Sequence, residues 1–213
     1  VCDLSDLKAV DLMAKNIIKR HQKIDILINN AGILKTHEPM TKYAIDVRFV
    51  VNTIAPFLLT QKLLPHLNDQ GRVINVASAA QEPVDVAALT GRKAIQMDAL
   101  QAYSQSKLAI IMWSNAMAKQ PRCQKYVIVS VNPGSLLASK MVKEGFGIDG
   151  KDINIGADII ARAALSKEFV NASGKYFDND QAVFSDPHPD ALNPQKNMKI
   201  MQMIEHMIEQ ILP

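Results

Sequence analysis

Three short apolar runs limit what this sequence can fold into. Ile24-Asp25-Ile26-Leu27-Ile28-Asn29-Asn30, Arg72-Val73-Ile74-Asn75-Val76-Ala77-Ser78 and Tyr126 to Asn132 are all rich in β-branched residues. Ala31-Gly32 ends the first run and Pro133-Gly134 ends the third. Runs of this length, apolar on both sides, read as strands buried on both faces, the pattern of a parallel sheet. Segments of helical period separate them. Leu4 to about His21 carries Leu7, Val10, Met13/Ala14 and Ile17 at helical spacing, with Ser5 as the expected N-cap. Long helices are expected from about Ile45 to His66, kinked at Pro56, and from Asp98 to about Lys119. A helix near Gly156–Ser166, a strand near Lys175–Phe177 and a C-terminal helix over Gln195–Leu212 complete the pattern. Strands alternating with helices over 213 residues predict a single α/β domain spanning 1–213, with no repeat and no linker.

Composition excludes several functions. Lys and Arg number 24 against 21 Asp and Glu, a net charge of +3 scattered without a basic arm or stripe. That argues against nucleic acid as a partner. No apolar run reaches membrane-spanning length and no signal peptide is visible. Cys2 and Cys123 make no disulfide framework and read as free thiols of a reducing cytoplasm. The five His residues show no metal spacing, so no metal is expected. Met198, Met201, Met203 and Met207, with Ile204, Ile208 and Ile211, are expected to face the core or a partner subunit.

Within the third long helix lies Tyr103-Ser104-Gln105-Ser106-Lys107, a Tyr and a Lys one turn apart on one face. Neither is a useful acid or base alone at neutral pH, but an ammonium beside a phenol favours the phenolate. Such a pair can exchange a proton with an alcohol or carbonyl oxygen. Its setting adds weight. In open α/β sheets ligands bind beyond the carboxyl ends of the strands. Asn29-Asn30-Ala31-Gly32, Ser78 and Pro133-Gly134 all fall there, and Asn52 lies in the helix after the first strand.

Taken together, Asn29-Asn30-Ala31-Gly32, Val51-Asn52-Thr53, Asn75-Val76-Ala77-Ser78, Tyr103-x-x-x-Lys107 and Asn132-Pro133-Gly134 resemble the short-chain dehydrogenase/reductase family over nearly the whole chain. The separation of Ser78 from Tyr103 is longer than in many members, which resembles the retinol dehydrogenase and protochlorophyllide reductase branch. The resemblance implies a doubly wound, Rossmann-like parallel sheet binding NAD or NADP. It also implies hydride transfer between that cofactor and an alcohol, aldehyde or ketone. Tyr103 would be the acid/base. Lys107 would lower the Tyr103 pKa and bond the nicotinamide ribose, Ser78 would hold the substrate oxygen, and Asn52 would support a water that relays protons. Asp3 and Leu4 would meet the adenine. Asn30, Ala31, Gly32, Tyr103, Lys107, Pro133, Gly134 and the backbone to Leu136 would line the cofactor, with either Ser135 or Ser139 bonding its carboxamide. Members usually form homodimers or homotetramers, here through the helices at 45–66 and 98–119, where Ala109, Ala116 and Ala118 would permit close approach.

Two departures from the family pattern matter. The glycine-rich turn that cradles the pyrophosphate is absent, with the first two to three strands around it. Roughly sixty further residues are therefore expected upstream, and the first run is left as an exposed sheet edge. Gly145-Phe146-Gly147-Ile148-Asp149-Gly150 matches the glycine fingerprint literally, but no strand precedes it. In the family this region, about 135–155, is a flap over the substrate. Walls at Ala79–Ala102, with Pro83, Val84, Val86, Leu89, Ile95 and Met97, and at Ser135–Lys151 imply a neutral, mainly apolar small-molecule substrate. The alternative is a truncated, non-catalytic paralogue acting through subunit or partner binding.

Overall fold

The computed structural model describes residues 1–92 and 97–212. Helix α1 (Leu7–Arg20) leads into strand β1 (Ile24–Asn29). A continuous helical stretch follows as α2 (Val47–Phe49), a π turn (Val50–Ile54), α3 (Ala55–Leu63) and a closing 3-10 turn (Leu64–His66). Strand β2 (Leu67–Val76), the short α4 (Val86–Leu89), α5 (Ala99–Ala118) and β3 (Val127–Asn132) come next. The chain ends with α6 (Lys140–Phe146), α7 (Asn154–Leu165), β4 (Tyr176–Asp178), β5 (Val183–Ser185), α8 (Pro189–Leu192) and α9 (Pro194–Ile211).

The strands pair in the order β1-β2-β3-β4-β5, parallel through β4 and antiparallel at β5. The expected parallel α/β sheet is present, and the antiparallel strand is an addition that the sequence did not announce. Alternate residues feed two layers. Val73 and Ile128 join α3, α5 and α9 in the larger core, while Ile74, Val127, Val129 and Val131 meet Ile159 and Ala163 of α7. As expected, β1 is an edge strand, and its Ile28 is 42% exposed.

Local details correct the sequence reading. Asp6, not Ser5, caps α1, its carboxylate accepting from the Lys8 N–H. Ser5 is engaged upstream, its N–H and hydroxyl both donating to Asp3 Oδ1. Strand β2 starts earlier than expected and ends at Val76, so Ser78 lies two residues past the strand. At Pro56 the helix widens instead of simply kinking. The α-helical donor to the Asn52 carbonyl would be residue 56, which has no N–H. The π turn just before it has the Ala55 N–H bonding Val50 O.

Helix α5 is almost wholly internal. Ala109 and Ala116 are buried within this one chain, so their smallness serves its own packing. The Met-rich stripe of α9 faces inward through Met201, Ile204, Met207 and Ile208, which join the larger core, while Met198 stays exposed. Phe57 of α3 meets Trp113 of α5 edge to face, with ring centroids 5.4 Å apart. The insertion before α5 packs inward too. Leu89 is fully buried in the main core and so does not line a substrate wall, while Val84, Val86 and Met97 are half-buried with one side against that core. Pro83 is exposed, and Ile95 falls outside the described residues. Among the described residues no helix is long and apolar enough to cross a membrane.

Removing the Phe57 ring should uncouple α3 from α5. Phe57→Ala is expected to cost about 3–5 kcal/mol, read as a lower denaturant midpoint at unchanged slope.

Candidate active site

The site forms where β2 ends. Because the strand stops at Val76, the Val76 carbonyl is free to accept from Lys107 Nζ at 2.7 Å. Lys107 is 3% exposed, and α5 must lie across the carboxyl end of the sheet for this bond to form. Burial pushes its ammonium down to about 8. One turn earlier on the same helix face, Tyr103 places its ring centroid 5.6 Å from Lys107 Nζ. From Ala102 to Met117 every residue of α5 is buried except Tyr103. Burial still raises the phenol above its ordinary pKa, and the neighbouring Ser78 side chain opposes this in part. The expected lowering of the Tyr103 pKa by Lys107 is therefore not the outcome here. Desolvation of the phenolate is the larger effect on it, and the neighbouring Ser78 side chain only partly offsets it.

Ser78 is held from both sides. Its hydroxyl accepts from the Ala80 N–H at 3.1 Å, and its carbonyl accepts from Tyr176 Oη at 3.2 Å and Gln81 Nε2 at 3.0 Å. Gln81 Oε1 in turn accepts from the His188 N–H at 2.7 Å.

Asn52, in the π turn, closes the opposite side. Its Oδ1 accepts from the Ile33 N–H at 2.8 Å, and its Nδ2 donates to Ile33 O and Ser106 Oγ, each at 3.0 Å. Ser106 Oγ donates in turn to the Tyr103 carbonyl at 2.6 Å. The loop after β1 is thus tied to the helix that carries Tyr103. Arg48 adds a second tie, donating to Leu34 O while it forms a buried two-pronged ion pair with Asp46. Gly32 runs through the space between. A Cβ built there would sit 3.5 Å from both Asn52 Oδ1 and Lys107 Nζ.

Beyond β3, Pro133 and Gly134 turn the chain, with Gly134 at φ +120° and Leu136 at φ +57°. The two serines left open by the sequence now differ. Ser139 caps α6, accepting from the Val142 N–H. Ser135 donates its hydroxyl to Asp180 Oδ2 at 2.5 Å. The literal glycine fingerprint at 145–150 holds no strand: Gly145 lies in α6, and Gly147 is the left-handed C-cap of that helix.

Gly32, Asn52, Ser78, Tyr103 and Lys107 are therefore joined around one point. Asn30 and Ala31 lie exposed beside it. Asp3 and Leu4 enter at the same end of the sheet, since Tyr43 in the loop after β1 accepts from the Leu7 N–H and donates to Asp6. The Asp3 side chain itself is exposed. Sequence reasoning gave no role to Gln81, Ser106, Tyr176 and Asp180, whose contacts to Ser78, Asn52 and Ser135 follow from the fold and not from a motif position. Among the described residues no group of three or more His, Cys, Asp or Glu is placed to hold a metal ion.

Lys107 carries a stability cost with a definite sign. Unfolded, it keeps its proton to 10.5; folded, only to about 8. The folded state therefore bears the full penalty, on the order of 3 kcal/mol, below about 8 and sheds it between those values. Lys107→Met also strands the Val76 carbonyl, at about 1 kcal/mol. A net gain of about 1–2 kcal/mol is expected at neutral pH, disappearing above 10.5. Denaturant titrations across pH check it.

A family model described as short chain dehydrogenase matches residues 1–146. Retinol dehydrogenase 13 of Mus musculus is 28% identical over 194 residues, covering 83% of this chain and 58% of its own length. Retinol dehydrogenase 12 of Mus musculus is 30% identical over 188 residues, covering 82% and 58%. The chloroplastic short-chain dehydrogenase TIC 32 A of Brassica napus is 29% identical over 202 residues, covering 82% and 61%. The chain thus spans 58% to 61% of the length of these relatives. Among solved structures, a protein of Mycobacterium paratuberculosis superposes with a TM-score of 0.77 at 22% identity, covering 98% of this chain and 74% of the other. The NADPH-bound carbonyl reductase from chicken fatty liver gives 0.61 at 22%, covering 85% and 74%. At such identities the likeness to solved structures speaks for the fold.

Proposed function

The chain belongs to the short chain dehydrogenase family, and from that premise we propose that the whole protein is an NAD(P)-dependent oxidoreductase acting on a mainly apolar alcohol, aldehyde or ketone. One observation carries the reading. On a helix otherwise buried from Ala102 to Met117, a single partly exposed phenol stands beside Ser78 and above a desolvated Lys107. A phenol so placed has proton transfer as its natural task.

The residues fit the nicotinamide half of such a cofactor. Gly32 leaves open the space beside Lys107 Nζ that a Cβ would fill, and Gly134 turns the chain away at the neighbouring strand end. Lys107 Nζ has donors to spare beyond its bond to Val76 O, which suits it to a ribose hydroxyl. Structural neighbours that hold NADPH or NADP favour that cofactor class, without choosing between NAD and NADP. When bound, the nicotinamide supplies or accepts the hydride.

In the reducing direction, Tyr103 Oη gives its proton to the substrate oxygen while Ser78 Oγ donates a hydrogen bond to the same oxygen as negative charge develops there. In the oxidising direction, Tyr103 takes that proton back. Lys107 returns a proton to Tyr103. The Asn52 carbonyl, deprived of an α-helical donor by Pro56, is the group to hold a relaying water. An apolar substrate is supported by the flap, where Leu136, Phe146, Ile148 and Ile153 are exposed. A homodimer or homotetramer belongs to the same reading by family likeness, but its contact would not use Ala109 and Ala116, which are buried within the chain.

In the full-length protein, Tyr103→Phe is expected to lower carbonyl reduction by about 10²–10⁴-fold while NAD(P)H affinity stays the same. Retained turnover would overturn the assignment. Lys107→Ala should damage both turnover and affinity. For the unaltered protein, kcat/KM for reduction should fall as pH rises through about 8, where free Lys107 gives up its proton. Gly32→Ala should weaken NAD(P)H by more than about ten-fold at unchanged Tm, because the added carbon meets only ordinary contacts in the ligand-free protein. Calorimetric titration checks it.

A further inference from the structure

The segment that carries α6 leaves and rejoins the body of the protein at one place. Outgoing Leu136 and Ala138 bond returning Lys151: Lys151 N donates to Leu136 O at 2.7 Å, and Ala138 N donates to Lys151 O at 2.6 Å. Gly150 is obligatory at this crossing, since a Cβ there would lie 2.7 Å from Leu136 O. Two short backbone bonds close a loop over 138–151, but they do not fix it to the sheet.

Asp180, just past β4, supplies that attachment. Its Oδ1 accepts from the Ser135 N–H at 2.9 Å, and its Oδ2 accepts from Ser135 Oγ at 2.5 Å and Asn132 Nδ2 at 2.9 Å. Lys151 Nζ approaches Oδ1 to 3.9 Å from the returning strand. Asp178 holds the arrangement from below, its Oδ1 accepting from Asn132 Nδ2 at 2.8 Å and from the Asp180 N–H at 3.0 Å. Asn179 Nδ2 donates to Pro133 O at 2.9 Å. Partial burial pushes the Asp180 carboxyl up, but the Ser135, Asn132 and Lys151 donors outweigh it and hold it below the usual range.

We infer that Asp180 is a positioning residue. By grasping Ser135 on the outgoing side and Lys151 on the returning side, it fixes the base of the 138–151 flap and presents Ser135 to the nicotinamide. The second part rests on the cofactor reading above; the first does not. An ionised carboxylate only accepts, so the single Ser135 hydroxyl proton is committed to it. Ser135 Oγ is then left with lone pairs alone and could take an N–H from the carboxamide, but could not donate to its oxygen.

Asp180→Asn keeps the shape but cannot accept from all three donors at once. It is to be compared with the unaltered full-length protein by two independent readouts. Without cofactor, trypsin should cut at Lys140 and Lys143 about ten-fold faster in the variant, at nearly unchanged Tm. Unchanged cutting would overturn the clasp. With ligand, NADH or NADPH should bind about ten-fold more weakly, as losing a charge-assisted bond implies. ADP-ribose or its 2′-phosphate, which lack the nicotinamide, should bind as before. Equal weakening of both ligands, or of neither, would overturn the presenting role. If the unaltered protein bound no dinucleotide at all, the cofactor reading and the presenting role would fall, while the trypsin result would still decide the clasp. Should Asp180→Asn fail to fold, Ser135→Ala must by itself weaken the dinucleotide and not ADP-ribose. No such difference would refute the proposal.

Discussion

An ammonium buried against a single carbonyl underlies the arrangement of this molecule. Among the described residues Lys107 has no carboxylate partner; it has Val76 O at 2.7 Å, and burial alone shifts its ammonium. Taking a charge out of water without a counter-charge costs several kcal/mol, and a single polar bond returns little of it. The fold supplies the rest. β2 has to stop at Val76 so that its carbonyl is free, and α5 has to cross the strand end at that height. Ser78 then falls two residues beyond the strand, with Tyr103 one helical turn before the lysine. A site held together in this way gains when a polar ligand reaches the ammonium, which is the usual sense of stability given up for function.

A second ring of bonds makes the first ring rigid. Asn52 uses its amide on Ile33 and Ser106, and Ser106 carries the tie to the Tyr103 carbonyl. Gln81 and Tyr176 both donate to the Ser78 carbonyl. These partners come from four separate stretches of chain, so local unfolding of any one would loosen Asn52, Tyr103 or Ser78. Side chains fixed by several bonds each lose little entropy when a ligand arrives, which is what preorganisation requires.

Most of the framework was legible because it rests on period and punctuation. The three apolar runs became the three long parallel strands, and the joint placement of Gly32, Ser78, Tyr103 and Lys107 at strand ends survived in space. Failures came where a local rule met competition. Ser5 is a good cap by type, but Asp3 holds it and Asp6 takes the role. Leu89 looks like pocket lining by composition, yet the Asp85-capped α4, docked through Gln105 Oε1 on the Asp85 N–H, turns it into the core. Three-residue strands such as β5 carry too little pattern to see. Asp180 lies 45 residues from the serine it holds, and no spacing rule reaches across that.

The pKa values bear on mechanism in a way the bare Tyr–Lys spacing concealed. An exposed pair would be governed by mutual attraction, with the ammonium drawing the phenol down. In this site desolvation acts on both, and in opposite directions: the phenol rises and the ammonium falls to about 8. Lys107 thereby becomes the stronger acid of the two by a clear margin. Under the mechanism proposed above, a proton surrendered by Tyr103 would be replaced downhill from Lys107, which would recover one from water near neutral pH. In the reverse of that proposed step the same ordering would work against the phenolate, which would form beside an ammonium half discharged at about 8. In the ligand-free site the more acidic group is therefore the buried lysine, with the tyrosine above it, an ordering that favours the proposed protonation of a substrate oxygen over its reversal.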